Sequence, residues 1–310
     1  MATPLIVIVG TTASGKSKLG IRLAQRLGGE IVSADSRQLY RGLDIGSGKV
    51  TPEERAGVPH HLLDVADVRQ RFTVAEYQVQ AFAAIEDITA RGRQPLLVGG
   101  SGLYVRAVVD NPAYPNVAPR PELRHQLERT PLRELIVQLE AVDPVTARRI
   151  DKQNPRRVVR ALEVSLASGR PFSAQQDQGP PRVDPLQLGL TWPRDELRCR
   201  IRNRLEARLA GGMLEETRQL LAAGVPPQRL IELGLEYRFL TRHVLGELTA
   251  DEMREKLETA IVQFARRQMT WFRRDARIRW LEPDRALEQA EALAAEFLAR
   301  QDRPRHVPGE

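Results

Sequence analysis

GTTASGKS, residues 10–17, fits G-x-x-x-x-G-K-[ST] and follows the apolar run Leu5 to Val9. A buried strand that ends at Gly10 and turns into a helix leaves the backbone N–H groups of Thr11, Thr12, Ala13, Ser14, Gly15 and Lys16 to curl around an anion. Lys16 adds a mobile positive charge, the Ser17 hydroxyl is placed to hold Mg²⁺, and the following helix points its positive end at the same spot. With a strand before it and a helix after it, the stretch reads as a phosphate-binding loop. It leaves open whose phosphates are held.

Outward from the loop, a helix from about Ser17 to Leu27 leads to a second apolar run, Glu30 to Ala34, which ends at Asp35. A right-handed crossover makes the two strands parallel and sets Asp35 on the rim that carries the loop. A helix from about Thr73 to Ala90 precedes the strand Pro95 to Val98 and the turn Gly99-Gly100-Ser101-Gly102, which delivers Ser101 to that rim as well. The run NPAYPNVAPRP at 111–121 then breaks the pattern. Charged helical stretches interrupted at Pro131, Pro144 and Pro155 follow, closed by a loop rich in Pro and Gly. A strand at Leu186 to Thr191 returns the chain to the sheet. Helices at about Asp195–Ala223, Leu230–Leu245 and Ala250–Arg274 come next, with a short strand at Ile278–Leu281. The expected fold class is α/β: a P-loop NTPase-like parallel sheet flanked by helices, with a helical insertion domain. The core is placed at 1–110 and 186–300, the insertion at 111–185, and a disordered tail at 301–310.

The chain has 310 residues and 42% hydrophobic content, enough for a large core. No stretch has the roughly 18 apolar residues of a membrane span, and the apolar opening reads as the first strand rather than a signal peptide. The single cysteine, Cys199, permits no internal disulfide and no thiolate metal site, so the cytoplasm is the expected compartment. No exposed heptad or long unpaired edge suggests assembly, and a monomer is expected. Lys plus Arg is 47 against 40 acidic residues, net +7, and only five of the 47 are lysines. Guanidinium forks suit phosphate oxygens and stack on bases, so either a polyanion such as RNA is a partner or a genome bias has turned surface lysines into arginines.

A P-loop enzyme acting on a terminal phosphate usually carries an apolar strand ending in Asp to help hold Mg²⁺. The candidate strand here ends in Gly-Gly-Ser-Gly instead. The acid on the rim is Asp35, followed by Ser36, Arg37, Gln38 and Tyr40, a set suited to a nucleobase: Asp accepts an amine proton, and Gln forms paired hydrogen bonds to adenine.

With these residues the chain resembles the tRNA dimethylallyltransferases, also called tRNA isopentenyltransferases. The resemblance rests on GTTASGKS (10–17), DSRQLY (35–40), LDIGSGK (43–49), VPHHLLD (58–64), VGGSGLYVRA (98–107), NPRRVVRALE (154–163) and ARRQMTWFRR (265–274), in family order over about nine tenths of the chain. It implies transfer of the dimethylallyl group from dimethylallyl diphosphate to N6 of the adenosine 3′-adjacent to the anticodon, in tRNAs reading codons that begin with U. Diphosphate is the leaving group. Under this resemblance residues Gly10 to Ser17 hold the donor's diphosphate with Mg²⁺ at Ser17, Asp35 takes the N6 proton, and Ser101 assists with its hydroxyl. Ser101 stands where Thr is more usual. Gln38 reads an adenine flipped out of the anticodon loop. The tRNA-contacting set implied is Asp35, Ser36, Arg37, Gln38, Ser101, Arg124, Arg156, Arg157, Val158, Val159, Arg160, Arg266, Arg267 and Gln268. Arg156 replaces the usual Gln, and Val262 and Phe264 replace the usual Arg and Tyr. Arg160 and Glu163 could instead pair with each other. Trp271 and Phe272 are read as anchors of their helix to the core. The lack of a C-terminal Cys/His finger points to the bacterial type.

The sequence also admits other readings: a P-loop small-molecule kinase, a relative that prenylates free adenine nucleotides, and a non-catalytic RNA-binding module that keeps the loop as a relic. His60-His61 is read as structural, since adjacent side chains point apart and no third ligand is near, and Cys199 as structural because nothing around it supplies a base.

Overall fold

The computed structural model describes residues 2–115, 117, 120–175 and 179–301. The expected disordered tail lies outside the described residues from position 302 onward. In chain order the first unit runs β1 (Thr3–Gly10), α1 (Lys16–Leu27), β2 (Glu30–Ser33), α2 (Pro52–Arg55), β3 (His60–His61), α3 (Val74–Ala90), β4 (Pro95–Gly99) and α4 (Gly102–Val109). The second unit, Asp110–Pro180, contains α5 (Pro121–Arg129), α6 (Leu132–Val142), α7 (Pro144–Arg149) and α8 (Pro155–Ser168). The first unit resumes with β5 (Val183–Leu190), α9 (Arg194–Ala210), α10 (Met213–Ala222), α11 (Pro227–Leu233), α12 (Leu235–Val244), α13 (Ala250–Phe272), β6 (Arg279–Leu281) and α14 (Ala286–Gln301).

All six strands are parallel, in the order β3-β2-β4-β1-β5-β6. Leu5 to Val9 are fully buried because β1 is central and covered on both faces, which is why the run is uninterruptedly apolar. Residues of one parity, Ile6, Ile8, Leu96, Val98 and Leu188, share a core with Leu19 and Leu23 of α1 and Ala286, Ala290 and Ala294 of α14. A separate core joins Ala13 of the phosphate loop to Ile201, Leu205, Met213, Leu240, Leu257 and Ile261, so helices α9, α10, α12 and α13 pack on that loop. Parallel strands put their carboxyl ends on one edge, and this edge carries Gly10, Asp35, Ser101 and Trp192.

Several expectations need correction. The insertion does not extend to Pro185: Val183 pairs with Thr3 in the sheet, so β5 starts earlier than the periodicity suggests, and the second unit ends at Pro180. The helix expected over Asp195–Ala223 is two helices, broken at Gly212 with φ +97. Similarly Gly234, φ +78, separates α11 from α12. Helix α14 is unforeseen, because its buried stripe is alanine rather than large apolar residues. His60-His61 is a two-residue strand: His61 pairs with Glu30 at 2.7 Å, and His60 Nδ1 lies 2.8 Å from Val58 O. The Arg91 side chain, then that of His61, hold Glu30 at about 2 despite burial.

The second unit packs around Leu127, Leu135, Leu139, Ala147, Leu162 and the pair Val158 and Val159, which are 0% and 4% exposed. That burial corrects the expectation that Val158 and Val159 touch tRNA, since their side chains fill the core of the four-helix unit.

Candidate active site

The phosphate loop has the backbone its sequence dictates. Ala13 and Gly15 are left-handed, at φ +59 and +95, which bends the loop sharply. Two of its amides are already used, Thr12 N donating to Gln268 Oε1 at 2.8 Å and Ser14 N to Thr11 O at 3.3 Å, which corrects the expectation that every N–H from Thr11 to Lys16 faces the anion. Gly10 must be glycine: a β-carbon there would lie 2.3 Å from Leu190 O. Helix α1 starts with no side-chain cap and no acidic residue in its first turn, so its orphan N–H groups and positive end are available to an anion. Inside the loop, Thr11 Oγ1 and Ser14 Oγ are buried without a hydrogen-bond partner. Buried hydroxyls are normally satisfied, so two orphans in one loop fit a cradle built for a ligand. Lys16 donates from Nζ to Thr11 O at 3.3 Å. Burial, and secondarily Arg204 and Arg208, lower its pKa to about 8 against the opposing pull of Asp35.

Asp35 and Ser101 share the rim expected from the sequence, and their strands β2 and β4 are neighbours in the sheet. Asp35 Oδ1 accepts from Arg37 N at 2.9 Å, which fixes the carboxylate beside its own turn. Ser101 Oγ accepts from Ser36 N at 3.0 Å and donates to Ser36 Oγ at 3.2 Å, while Ser101 N donates to Ala34 O at 3.1 Å. The β2 and β4 exits are thus tied together by Ser36 and Ser101. Gln38 Nε2 donates to Gly48 O at 3.0 Å.

Further partners of the loop come from α9 and were not foreseen. Arg204 Nη2 donates to Thr12 Oγ1 at 2.7 Å, and Arg200 Nε donates to Ala13 O at 3.0 Å while lying over the Trp192 ring at 4.3 Å. Trp192 Nε1 donates to Ser14 O at 2.8 Å. Arg208 pairs with Glu236 at 3.4 Å. Burial brings Arg204 down to about 10 and lowers Arg37, and it raises Glu236 despite Arg208 beside it. The four cations Lys16, Arg37, Arg204 and Arg208 therefore gather around two carboxylates, Asp35 and Glu236, in a largely buried site. That is an unbalanced positive site awaiting an anion. The available signal was the spacing of arginines 200, 204 and 208, which share one helical face after the strand beside the loop.

Gln268 is also placed differently from expectation. It is 7% exposed, its Oε1 accepts from Thr12 N at 2.8 Å, and its Nε2 donates to Gly100 O at 2.9 Å. Its amide is spent on bracing the phosphate loop against the Gly99–Gly102 turn, which corrects its reading as an RNA contact. Two residues earlier, Arg266 borders a cavity of about 510 Å³ with Arg194, Arg198, Arg273 and Thr11. Arg267 lies over Phe264 at 6.0 Å. Phe272 is buried, and Trp271 packs where a β-carbon on Gly102 would sit, so both anchor α13.

In the second unit, Glu163 is wholly buried and accepts from Arg124 at 2.5 Å, Arg160 at 2.9 Å and Arg120 N at 3.1 Å. Burial pushes its carboxyl up, but the bonds from Arg124 and Arg160 outweigh it and hold the group below its ordinary value. Arg124 and Arg160 thus neutralise a buried charge. Arg156 and Arg157 are exposed, Arg157 3.8 Å from Asp151.

For a divalent cation the site offers the Ser17 hydroxyl, at the first turn of α1, beside the phosphate cradle. That donor set suits Mg²⁺, which prefers phosphate oxygens and water to an all-protein cage. Among the described residues no group of three or more His, Cys, Asp or Glu gathers to hold a metal, and no helix is long and apolar enough to cross a membrane.

Comparison with known proteins converges on one group. The family model "IPP transferase" matches residues 38–275. The chain is 48% identical over 282 residues to the tRNA dimethylallyltransferase of Streptomyces coelicolor, covering 90% of each. Among solved structures, the tRNA isopentenylpyrophosphate transferase of Bacillus halodurans superposes with a TM-score of 0.72 at 35% identity, over 96% of this chain and 97% of that one. A eukaryotic dimethylallyltransferase acting on tRNA gives a TM-score of 0.82 at 28% identity, over 100% of this chain and 82% of that one.

Proposed function

This chain belongs to the IPP transferase family, the tRNA dimethylallyltransferases, and from that premise we propose how its own residues carry the reaction. It is a tRNA-modifying transferase. Its donor is dimethylallyl diphosphate, its acceptor is N6 of the adenosine 3′ of the anticodon, and it works as a monomer in the cytoplasm.

The observation that carries this assignment of roles is the pairing of a cation-rich cradle with a carboxylate on one sheet edge. The adenine amine is a poor nucleophile, because its lone pair is delocalised into the ring. As N6 attacks the first carbon of the dimethylallyl group, the allylic C–O bond breaks and its electron pair leaves with the diphosphate. The N6 proton passes to Asp35, which Arg37 N holds in place. The growing charge on the diphosphate meets the loop N–H groups not already bonded within the protein, Lys16 and Arg204, all fixed before the reaction starts, so little reorganisation is needed. Thr11 Oγ1 and Ser14 Oγ, buried without a partner in the protein, supply further hydrogen bonds to the diphosphate. Ser17 would hold Mg²⁺, which supplies further positive charge to the leaving group when bound. Gln38 contacts the adenine, and Ser36 and Ser101 fix the turn beside it. Arg156, Arg157, Arg266 and Arg267 engage tRNA phosphates, whereas Arg124 and Arg160 act through the packing of the second unit.

Offering labelled dimethylallyl diphosphate in parallel to AMP and to an anticodon stem-loop tests this. Label in the stem-loop alone is expected. Label in AMP alone assigns the chain to free nucleotides, and ATP consumption with a small acceptor and no donor use assigns it to the kinases.

A further inference from the structure

Between the cradle and Gln38 runs the loop 43–49, LDIGSGK, gripped from several sides. The Glu216 carboxylate of α10 accepts from three successive amides, Asp44 N at 2.9 Å, Ile45 N at 2.7 Å and Gly46 N at 3.0 Å. Tyr237 of α12 donates its hydroxyl to the same carboxylate at 2.7 Å, and a β-carbon on Gly46 would lie 2.6 Å from its ring. Lys49, buried at the end of the loop, binds Tyr40 O at 3.0 Å and the carboxylates of Asp44 and Asp64 at 2.5 Å each. Finally, the Arg208 guanidinium rests on Gly48: a β-carbon there would fall 1.5 Å from Nη2 and 2.6 Å from Cζ. Gly48 has φ +63, so glycine is required twice over, for the backbone and for the close approach.

We propose that Arg208, held by Glu236 against the α-carbon of Gly48, is a positioning residue that sets the Gln38 amide for adenine recognition. The inference rests on the reading of Gln38 as the adenine contact. The Gly48 carbonyl can only accept a hydrogen bond, so it forces the NH₂ end of the Gln38 amide toward the loop and turns Oε1 away from it. An amide so fixed keeps one N–H for the adenine N7 and its oxygen for the second N6 hydrogen, the two-point pairing that glutamine makes with adenine. The first N6 hydrogen is left for Asp35. If Gly48 shifts, the amide is free to turn over, and the pairing is lost. Glu236 and Arg208 are each 13% exposed in their side chains, so the ion pair that seats the guanidinium is shielded from water and holds a defined geometry.

The test uses anticodon stem-loops that carry either adenosine or 7-deazaadenosine at the target position. The deaza base keeps N6 and lacks the N7 acceptor. Wild type is expected to favour adenosine in kcat/KM by about 10- to 100-fold, the range of one bidentate contact, and Gln38→Ala to bring the ratio to about 1. Arg208→Met and the isosteric Glu236→Gln are each expected to bring it within about 3-fold of 1, with Arg208→Lys between, because lysine reaches Glu236 without the flat fork. The donor KM moves oppositely in the two: up when the cation is removed, down when the carboxylate is neutralised. A merely structural role would depress both stem-loops alike and leave the ratio intact. If Arg208→Met and Glu236→Gln keep the wild-type ratio while Gln38→Ala abolishes it, the inference is overturned and the reading of Gln38 stands. If wild type shows no preference, or Gln38→Ala retains it, the reading of Gln38 fails and the inference falls with it.

Discussion

Lys16→Met removes a cradle cation whose charged form burial disfavours. An amine that titrates at about 8 instead of 10.5 has its charged form disfavoured, chiefly by burial, by about 3 kcal/mol, at about 1.4 kcal/mol per tenfold. The protein without donor is therefore expected to gain about 1–3 kcal/mol of stability at pH 7 on losing that charge. In the wild type the same group makes stability rise between pH 8 and 10.5, where the unfolded chain binds more protons than the native one, and the variant lacks that rise. Donor binding runs the other way. The diphosphate favours charged Lys16, so wild-type affinity for dimethylallyl diphosphate without tRNA should hold below pH 8 and fall up to about tenfold per unit above it. Lys16→Met binds about 10- to 100-fold more weakly at pH 7, the worth of one charge-assisted hydrogen bond, and shows no break near 8. Calorimetry in two buffers of different ionisation enthalpy reads the linked proton directly: at pH 8 about half a proton is taken up per donor by wild type and none at that site by the variant. A variant that keeps the break near pH 8, or binds donor as tightly as wild type, would refute the assignment of Lys16 to the diphosphate.

Asp35→Ala is expected to lower the single-turnover rate by about 100-fold or more with tRNA affinity nearly unchanged, since a general base acts in the transition state; quench-flow with a binding titration checks both. Arg156→Ala and Arg157→Ala should each reduce the slope of log affinity for tRNA against log salt by about one, measured by filter binding, while Arg204→Ala leaves that slope alone and weakens donor binding. Glu163→Ala strands Arg124 and Arg160 without their shared partner, and a loss of about 3 kcal/mol in denaturant unfolding of the second unit is expected.

The parts of the site that were legible in the sequence are those whose chemistry is local in the chain. Gly10 to Ser17 announce their own turn, Asp35 ends an apolar strand, and Ser101 follows a glycine pair, Gly99 required by the close approach of Ala34 and Gly100 by that of Gln268. What escaped is what depends on contacts between distant segments. Gln268 and Thr12 stand 256 positions apart, so the brace between them has no pattern along the chain. Arg204 and Arg208 carried a signal in their spacing, but among 47 basic residues an arginine face on one helix reads as a solvated surface until β5 is known to lie beside β1. The block containing Val158, Val159 and Arg160 mixes two fates. Helical periodicity buries the valines, and a carboxylate three residues beyond Arg160 ties that arginine into the core, leaving Arg156 and Arg157 on the outside.

The account turns on one transfer, from a diphosphate in the Gly10–Ser17 loop to an adenine amine at Asp35. The mass of an anticodon stem-loop after incubation with the protein, Mg²⁺ and dimethylallyl diphosphate reads it directly. A gain of one C5H8 unit, present with wild type and lost on the same timescale with Asp35→Ala and Lys16→Met, is the predicted result; an unchanged mass with wild type, or the same gain at the same rate with Asp35→Ala, would contradict it.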